Sequence, residues 1–144
     1  MNYNEVEDIL ASILEKETEI LDKPTEDEWK ELSGVFNYTF SNEFQYFIEL
    51  MAEWSFPGDI YNVSKGNTNG NDTIEEVYEH EMNNGNWDSK MIPFYGIGNG
   101  DYFCLNAMEL NEVKVYYYYD DKGIFEEYSD NLCKWIKDLP MFLA

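Results

Sequence analysis

The sequence predicts an α+β fold: one domain spanning residues 1–144, with an antiparallel or mixed β-sheet flanked by helices from the N- and C-terminal parts. Three observations carry this reading. Apolar residues recur at helical spacing through the early part of the chain. Apolar and aromatic runs joined by tight turns follow, before a last helical stretch. No internal repeat and no long linker divides the two regions.

Val6, Ile9, Leu10, Ile13 and Leu14 form one apolar stripe, and Glu5, Glu7, Asp8, Glu15 and Glu17 lie largely off it. Pro24 interrupts this helix. Thr25 and Glu28 have the spacing of a capping box, opening a short helix with Trp29 and Leu32 that Gly34 is expected to stop. Ser41 is placed to cap a third helix, where Phe44, Phe47, Ile48 and Met51 make a stripe. Phe56-Pro57-Gly58 reads as a turn, 59–63 as a strand and 66–71 as a polar loop. Thr73 and Glu76 repeat the capping-box spacing for a helix to about Met82, ended by Asn83-Asn84-Gly85.

Strands are predicted at 91–97, 102–106 and 113–119, to join 59–63 in the sheet. Gly98–Asp101 is the turn between the first pair, and Asp120-Asp121-Lys122-Gly123 closes the third. Ile124 and Phe125 start only a short further piece. Ser129 is read as the cap of a last helix carrying Leu132, Cys133, Trp135 and Ile136, with Pro140 as its end. The expected core is Trp29, Phe44, Phe47, Ile48, Phe94, Phe103, Leu105, Val115 and Trp135.

Charge narrows the function. The chain has 30 acidic residues against 9 basic ones, a net charge of −21, and every basic residue is lysine. With 44% hydrophobic and 17% aromatic residues it is too apolar for a disordered acidic tail. Nucleic-acid binding needs a basic footprint that is missing, and an anionic membrane surface repels this chain. Basic proteins and cations are the natural partners, although acidity also serves solubility alone. No run approaches the roughly 18 apolar residues of a membrane helix, and the N-terminus has no basic region of the kind that starts a signal peptide. Cys104 and Cys133, without CxxC spacing, read as reduced, partly buried thiols in a cytoplasmic protein.

The chemical motifs fail on context. Gly96-Ile97-Gly98-Asn99-Gly100 is rich in glycine, but strand residues follow it where a phosphate-holding helix is required. A calcium loop ending at Glu76 would put Lys65 at its first ligand position. His80 is the only histidine, which is poor material for zinc or for a Ser–His or Cys–His nucleophile. No catalytic, cofactor-binding or metal-binding residue is assigned, and the expectation is a non-enzyme without a cofactor. Tyr116 to Tyr119 alternate between sheet faces: one pair is read as core, the other as packed under a helix or open for recognition.

The segment Ile92-Pro93-Phe94-Tyr95-Gly96-Ile97-Gly98-Asn99-Gly100-Asp101-Tyr102-Phe103-Cys104-Leu105 resembles the central signature of the SUKH superfamily, the Smi/Knr-type domains. Val115 to Tyr119 with Asp120-Asp121 is similar to the next strand of that family, and Ser129 to Ile136 to its closing helix. Phe40-Ser41-Asn42-Glu43-Phe44-Gln45-Tyr46-Phe47-Ile48 resembles its Leu-Pro-x-x-(Tyr/Phe)-x-x-Phe-Leu segment, departing at Phe40-Ser41. The resemblance implies a bacterial immunity protein that occludes a cognate polymorphic toxin, often a nuclease with a basic cleft. The alternative it implies is a regulatory interaction domain with an endogenous partner, as in the cell-wall-synthesis regulators of the family. Acidic residues at strand ends are the expected contacts: Asp101 and Tyr102, Asp120 and Asp121, and Glu126 and Glu127.

Overall fold

The computed structural model describes residues 3–16, 23–51, 54–55, 59–61, 63, 73–85, 87–109 and 114–143. The turn at 56–58, the polar loop at 66–71, Asn62 and Val113 therefore lie outside the described residues. In chain order the elements are α1 (Tyr3–Ile13), β1 (Glu15–Lys16), α2 (Glu26–Phe36), α3 (Asn42–Met51), β2 (Trp54–Ser55) and β3 (Asp59–Ile60). Then come α4 (Ile74–Asn83), β4 (Met91–Gly96), β5 (Tyr102–Asn106), β6 (Val115–Tyr119), β7 (Ile124–Ser129) and α5 (Leu132–Leu143).

The architecture is α+β. The main sheet is a five-stranded antiparallel meander, β3-β4-β5-β6-β7, and β1 pairs with β2 in a separate two-stranded ribbon. Strands joined by tight turns lie antiparallel because no crossover length is available between them. Tyr95 faces Phe103, Phe103 faces Tyr117 and Tyr117 faces Glu126 across the sheet. The β4–β5 register shifts between Pro93 and Tyr95. This bulge lets the adjacent residues Phe94 and Tyr95 both approach the ring of Trp135 on α5.

All nine expected core residues are buried. On the helix-covered face they join one cluster with Leu10 of α1, Leu32 of α2 and Leu132, Ile136 and Leu139 of α5. Burying such side chains contributes about 1.5–3 kcal/mol each. The opposite face has a smaller cluster of Trp87, Met91, Cys104 and Tyr118, with Tyr78 of α4 packed against both clusters. Each face thus takes one buried tyrosine of the run, Tyr117 or Tyr118, and leaves one half-buried, Tyr119 or Tyr116.

Thr25 and Glu28 form the predicted capping box, with Glu28 N–H donating to Thr25 Oγ1 at 3.2 Å and Thr25 N–H to Glu28 Oε1 at 3.0 Å. Thr73 caps α4, and Ser41 Oγ accepts from Phe44 N–H at 3.1 Å. Other boundaries move. Gly34 does not stop α2, which runs on to Phe36 and closes at Asn37 with φ 50° and ψ 50°. Phe36 is buried against Tyr78, so packing extends the helix, and Asn tolerates the left-handed cap. Ser129 ends β7 rather than capping α5; Asn131 does that, its Oδ1 accepting from Lys134 N–H at 2.7 Å. Pro140 does not end α5. A proline here removes the N–H that would bond the carbonyl four residues back, and burial of the neighbouring Leu139 and Ile136 in the core offsets that loss. The predicted strand at 59–63 is short, Asp59–Ile60, followed by Tyr61 N–H donating to Phe94 O at 3.0 Å.

Gly34 lies in the helix exposed, and a Cβ built there meets nothing within 4 Å. Gly34→Ala should therefore stabilise the fold by about 0.5–1 kcal/mol, because it removes backbone freedom from the unfolded chain at no steric cost. Urea denaturation measures this; an unchanged or lowered midpoint would place the helix end at Gly34 after all.

Candidate partner-binding face

Two turns sit together at one end of the sheet: 97–101 between β4 and β5, and 120–123 between β6 and β7. Asp101 joins them. Its Oδ1 accepts the Asp120 N–H at 2.8 Å and its Oδ2 accepts the Tyr117 hydroxyl at 2.7 Å. Its own N–H donates to Asn99 Oδ1 at 3.0 Å, the side-chain-to-backbone bond of an Asx turn. Gly98 and Gly100 hold left-handed φ of 96° and 93°, which a side chain strains. At Gly100 the constraint is doubled, since a Cβ would lie 2.7 Å from Asp120 Oδ2.

The six expected contact residues do not form one patch. Asp101 and Asp120 are brought together, with Asp121 exposed beside them. Asp101 is half-buried and committed to holding the turns, and Asp120 and Asp121 carry the exposed charge. Tyr102 is half-buried beside the Trp87 cluster, donating to Glu81 Oε1 on α4 at 2.9 Å and packed on Trp87 and Tyr118. Glu126 and Glu127 are both exposed on β7 but alternate between faces. Glu127 pairs with Lys114 at 3.2 Å, and Glu126 lies against the Tyr119 hydroxyl.

Sequence reasoning missed Glu81 and Trp87. They line an open cleft of about 550 Å³ with Asn84, Tyr118, Asp120 and Lys122. Trp87 Nε1–H donates to Met91 O at 2.9 Å, and its ring packs on Tyr118 and Phe125. A signal existed for Trp87, a large aromatic between Asn86 and Asp88, residue types that favour turns. None distinguished Glu81 from the other carboxylates of its helix.

Several tyrosines sit where their anions are disfavoured. Burial first, then the Glu81 bond, pushes Tyr102 well above its ordinary value. Burial and then Asp101 do the same to Tyr117. Tyr116 is pushed up to about 12 by burial and by its hydroxyl bond to Glu109. Burial likewise raises the Cys104 thiol. Among the described residues no group of three His, Cys, Asp or Glu is arranged to hold a metal ion, and no described helix is long and apolar enough to cross a membrane.

A family model described as SUKH_5, SMI1-KNR4 cell-wall, matches residues 5–143. The chain belongs to the SUKH family. The match spans the whole sheet and all five helices, apart from the first two residues of α1. A search of curated proteins gave no match. The glycine turn of this SUKH domain is explained by the geometry above: Gly98 and Gly100 supply positive φ, and Gly100 leaves room for Asp120 beside Asp101.

Two outcomes follow for this SUKH domain. Asp101→Ala removes both acceptors and leaves the Tyr117 hydroxyl and Asp120 N–H without them, so it should cost about 1–3 kcal/mol. Asp101→Asn should cost less, and thermal unfolding of the two variants orders them; equal stability with the wild type would show that the turns dock without the carboxylate. The raised tyrosine pKa values fix the sign of the alkaline response. Tyrosine is neutral when protonated, so their stabilising effect is complete below pH 10 and is lost as pH rises toward 12 and beyond. Ultraviolet titration should show these ionisations accompanying unfolding; a full set of tyrosines titrating at pH 10 in a folded protein would refute it.

Proposed function

We propose that this SUKH domain is a cytoplasmic immunity protein. It binds a cognate polymorphic toxin, a basic nuclease domain, and covers its active-site cleft without catalysing a reaction itself. The family supports protein–protein recognition, and the observation that carries the finer reading is electrostatic. The chain has a net charge of −21 and no arginine, and Asp120 and Asp121 stand exposed on a turn held rigid by Asp101. A rigid carboxylate pair at the tip of a hairpin is able to occupy positions where a nuclease holds phosphates. Asp101 and Tyr102 contribute by positioning, Asp101 through the Asp120 backbone and Tyr102 through Glu81. Glu126 and Glu127 add carboxylates farther along the same hairpin, one on each face.

One observation favours a second reading, a regulatory interaction domain with an endogenous partner: the family description refers to the cell wall. Pull-down with the product of the adjacent gene, followed by rescue from that product's toxicity, separates the two. Rescue supports immunity; capture of an endogenous protein with no rescue supports regulation.

For the toxin complex, the association rate should fall steeply from low to physiological salt, where the Debye length shrinks to about 8 Å. Replacing Asp120 and Asp121 by asparagine should slow association more than it speeds dissociation. Stopped-flow mixing reads both rates. An association rate flat in salt and unchanged by the double substitution would sink the electrostatic mechanism.

A further inference from the structure

β7 is the outer strand of the sheet, six residues long, and among the described residues no strand pairs with its far side. Which of its backbone groups face outward follows from the ladder. Tyr119 O accepts from Gly123 N–H on the β7 side, while Asp120 N–H turns the other way to Asp101. Alternation along β6 then sets Tyr117, like Tyr119, to bond toward β7. Their register partners Glu126 and Ile124 point back at β6, so over the regular stretch from Ile124 to Glu127 the residues Phe125 and Glu127 direct N–H and C=O away from the sheet, before the register shifts at Tyr128. Two of the five exposed large apolar side chains among the described residues, Ile124 at 41% and Tyr128 at 44%, also lie on this strand.

We propose that β7 takes up an extended, lysine- or arginine-bearing segment of a protein partner as a sixth antiparallel strand of the meander. The outward groups of Phe125 and Glu127 supply the main-chain bonds, and Ile124 and Tyr128 supply apolar contact beside them. Charge selects the occupant. β7 carries Glu126 and Glu127 against one lysine, Lys114, and the adjoining turn carries Asp120 and Asp121 against Lys122. A cationic side chain on the added strand therefore meets opposite charge directly across the pair. A second copy of this chain would set Glu126 and Glu127 against the same two residues and bring together two bodies of −21 each. The same charges that protect this edge from self-association leave it open to a basic strand.

The proposal rests on the binding reading above only for the identity of the partner, and it is tested without that partner. The probe is a short peptide of alternating lysine and valine, blocked at both ends. The control has the same charge but proline in place of valine, so it cannot complete a ladder. Amide exchange followed by NMR should slow at Phe125 and Glu127 with the valine peptide alone, and that peptide should bind at least about tenfold tighter than the control. Glu127→Pro removes an outward N–H at an edge position that tolerates proline and should abolish the difference. Glu127→Lys keeps the backbone and should weaken the lysine peptide while admitting an alternating glutamate–valine one.

Equal binding of the two peptides, protection elsewhere, no binding, or protection of β7 through dimerisation without peptide would each overturn strand addition. Toxin capture that survives Glu127→Pro would overturn strand addition and leave neutralisation standing. Strand addition by the peptide with no toxin captured would do the reverse.

Discussion

The fold turns on the ring of Trp135. Its centroid lies 5.2 Å from those of Phe47 on α3, Phe94 on β4 and Phe103 on β5, each in a steeply tilted or edge-on arrangement. One side chain of the last helix therefore binds an early helix to two central strands. Edge-to-face pairs add about 0.5–1.5 kcal/mol each beyond area burial, and they also dictate angle, since rings in this geometry do not slide freely. The β4 bulge belongs to the same constraint, because without it Phe94 and Tyr95 would point to opposite faces. With α3 and α5 anchored on one face, the other holds the smaller cluster around Trp87 and the cleft beside it, to which α4 contributes Tyr78 and Glu81.

A second lock, at Asp101, explains how an intensely acidic chain spends its carboxylates. Some are structural: Asp101 fastens two turns, Glu28 helps cap α2, and Glu81 anchors Tyr102. A few meet lysines, as Glu5 meets Lys137 between α1 and α5. Most of those described are exposed and contribute self-repulsion, which the aromatic core must outweigh. The exposed carboxylates on a rigid hairpin are the ones suited to long-range attraction of a basic partner. The strand edge next to them adds directionality, which charge alone lacks.

Much of this was legible in the chain. The caps at Thr25, Ser41 and Thr73, the nine core residues, the glycine turn and the antiparallel strands around it all follow from local rules, and the structure contains them. The segment that resembles the SUKH signature includes that same turn, where positive φ at Gly98 and Gly100 leaves little freedom of residue type. Local rules failed where tertiary packing competed with them. α2 passes Gly34 because Phe36 has a place to bury, α5 passes Pro140 because Leu139 is held in the core, and β7 is a full strand despite Glu126-Glu127 because it pairs with β6.

By itself, the sequence determined the fold class, the core and the sign of the surface, because period, turn chemistry and charge are properties of short segments. Only the tertiary structure decided which carboxylates are exposed. Asp101 and Tyr102 look as available as Asp120 and Asp121 in the chain, yet they are bonded to Tyr117 and Glu81, 16 and 21 residues away. Register also decided that Glu126 and Glu127 face opposite sides, and which backbone groups of β7 point outward. These depend on pairing between segments distant in sequence, where a shift of one residue exchanges the faces, and no local pattern records that shift.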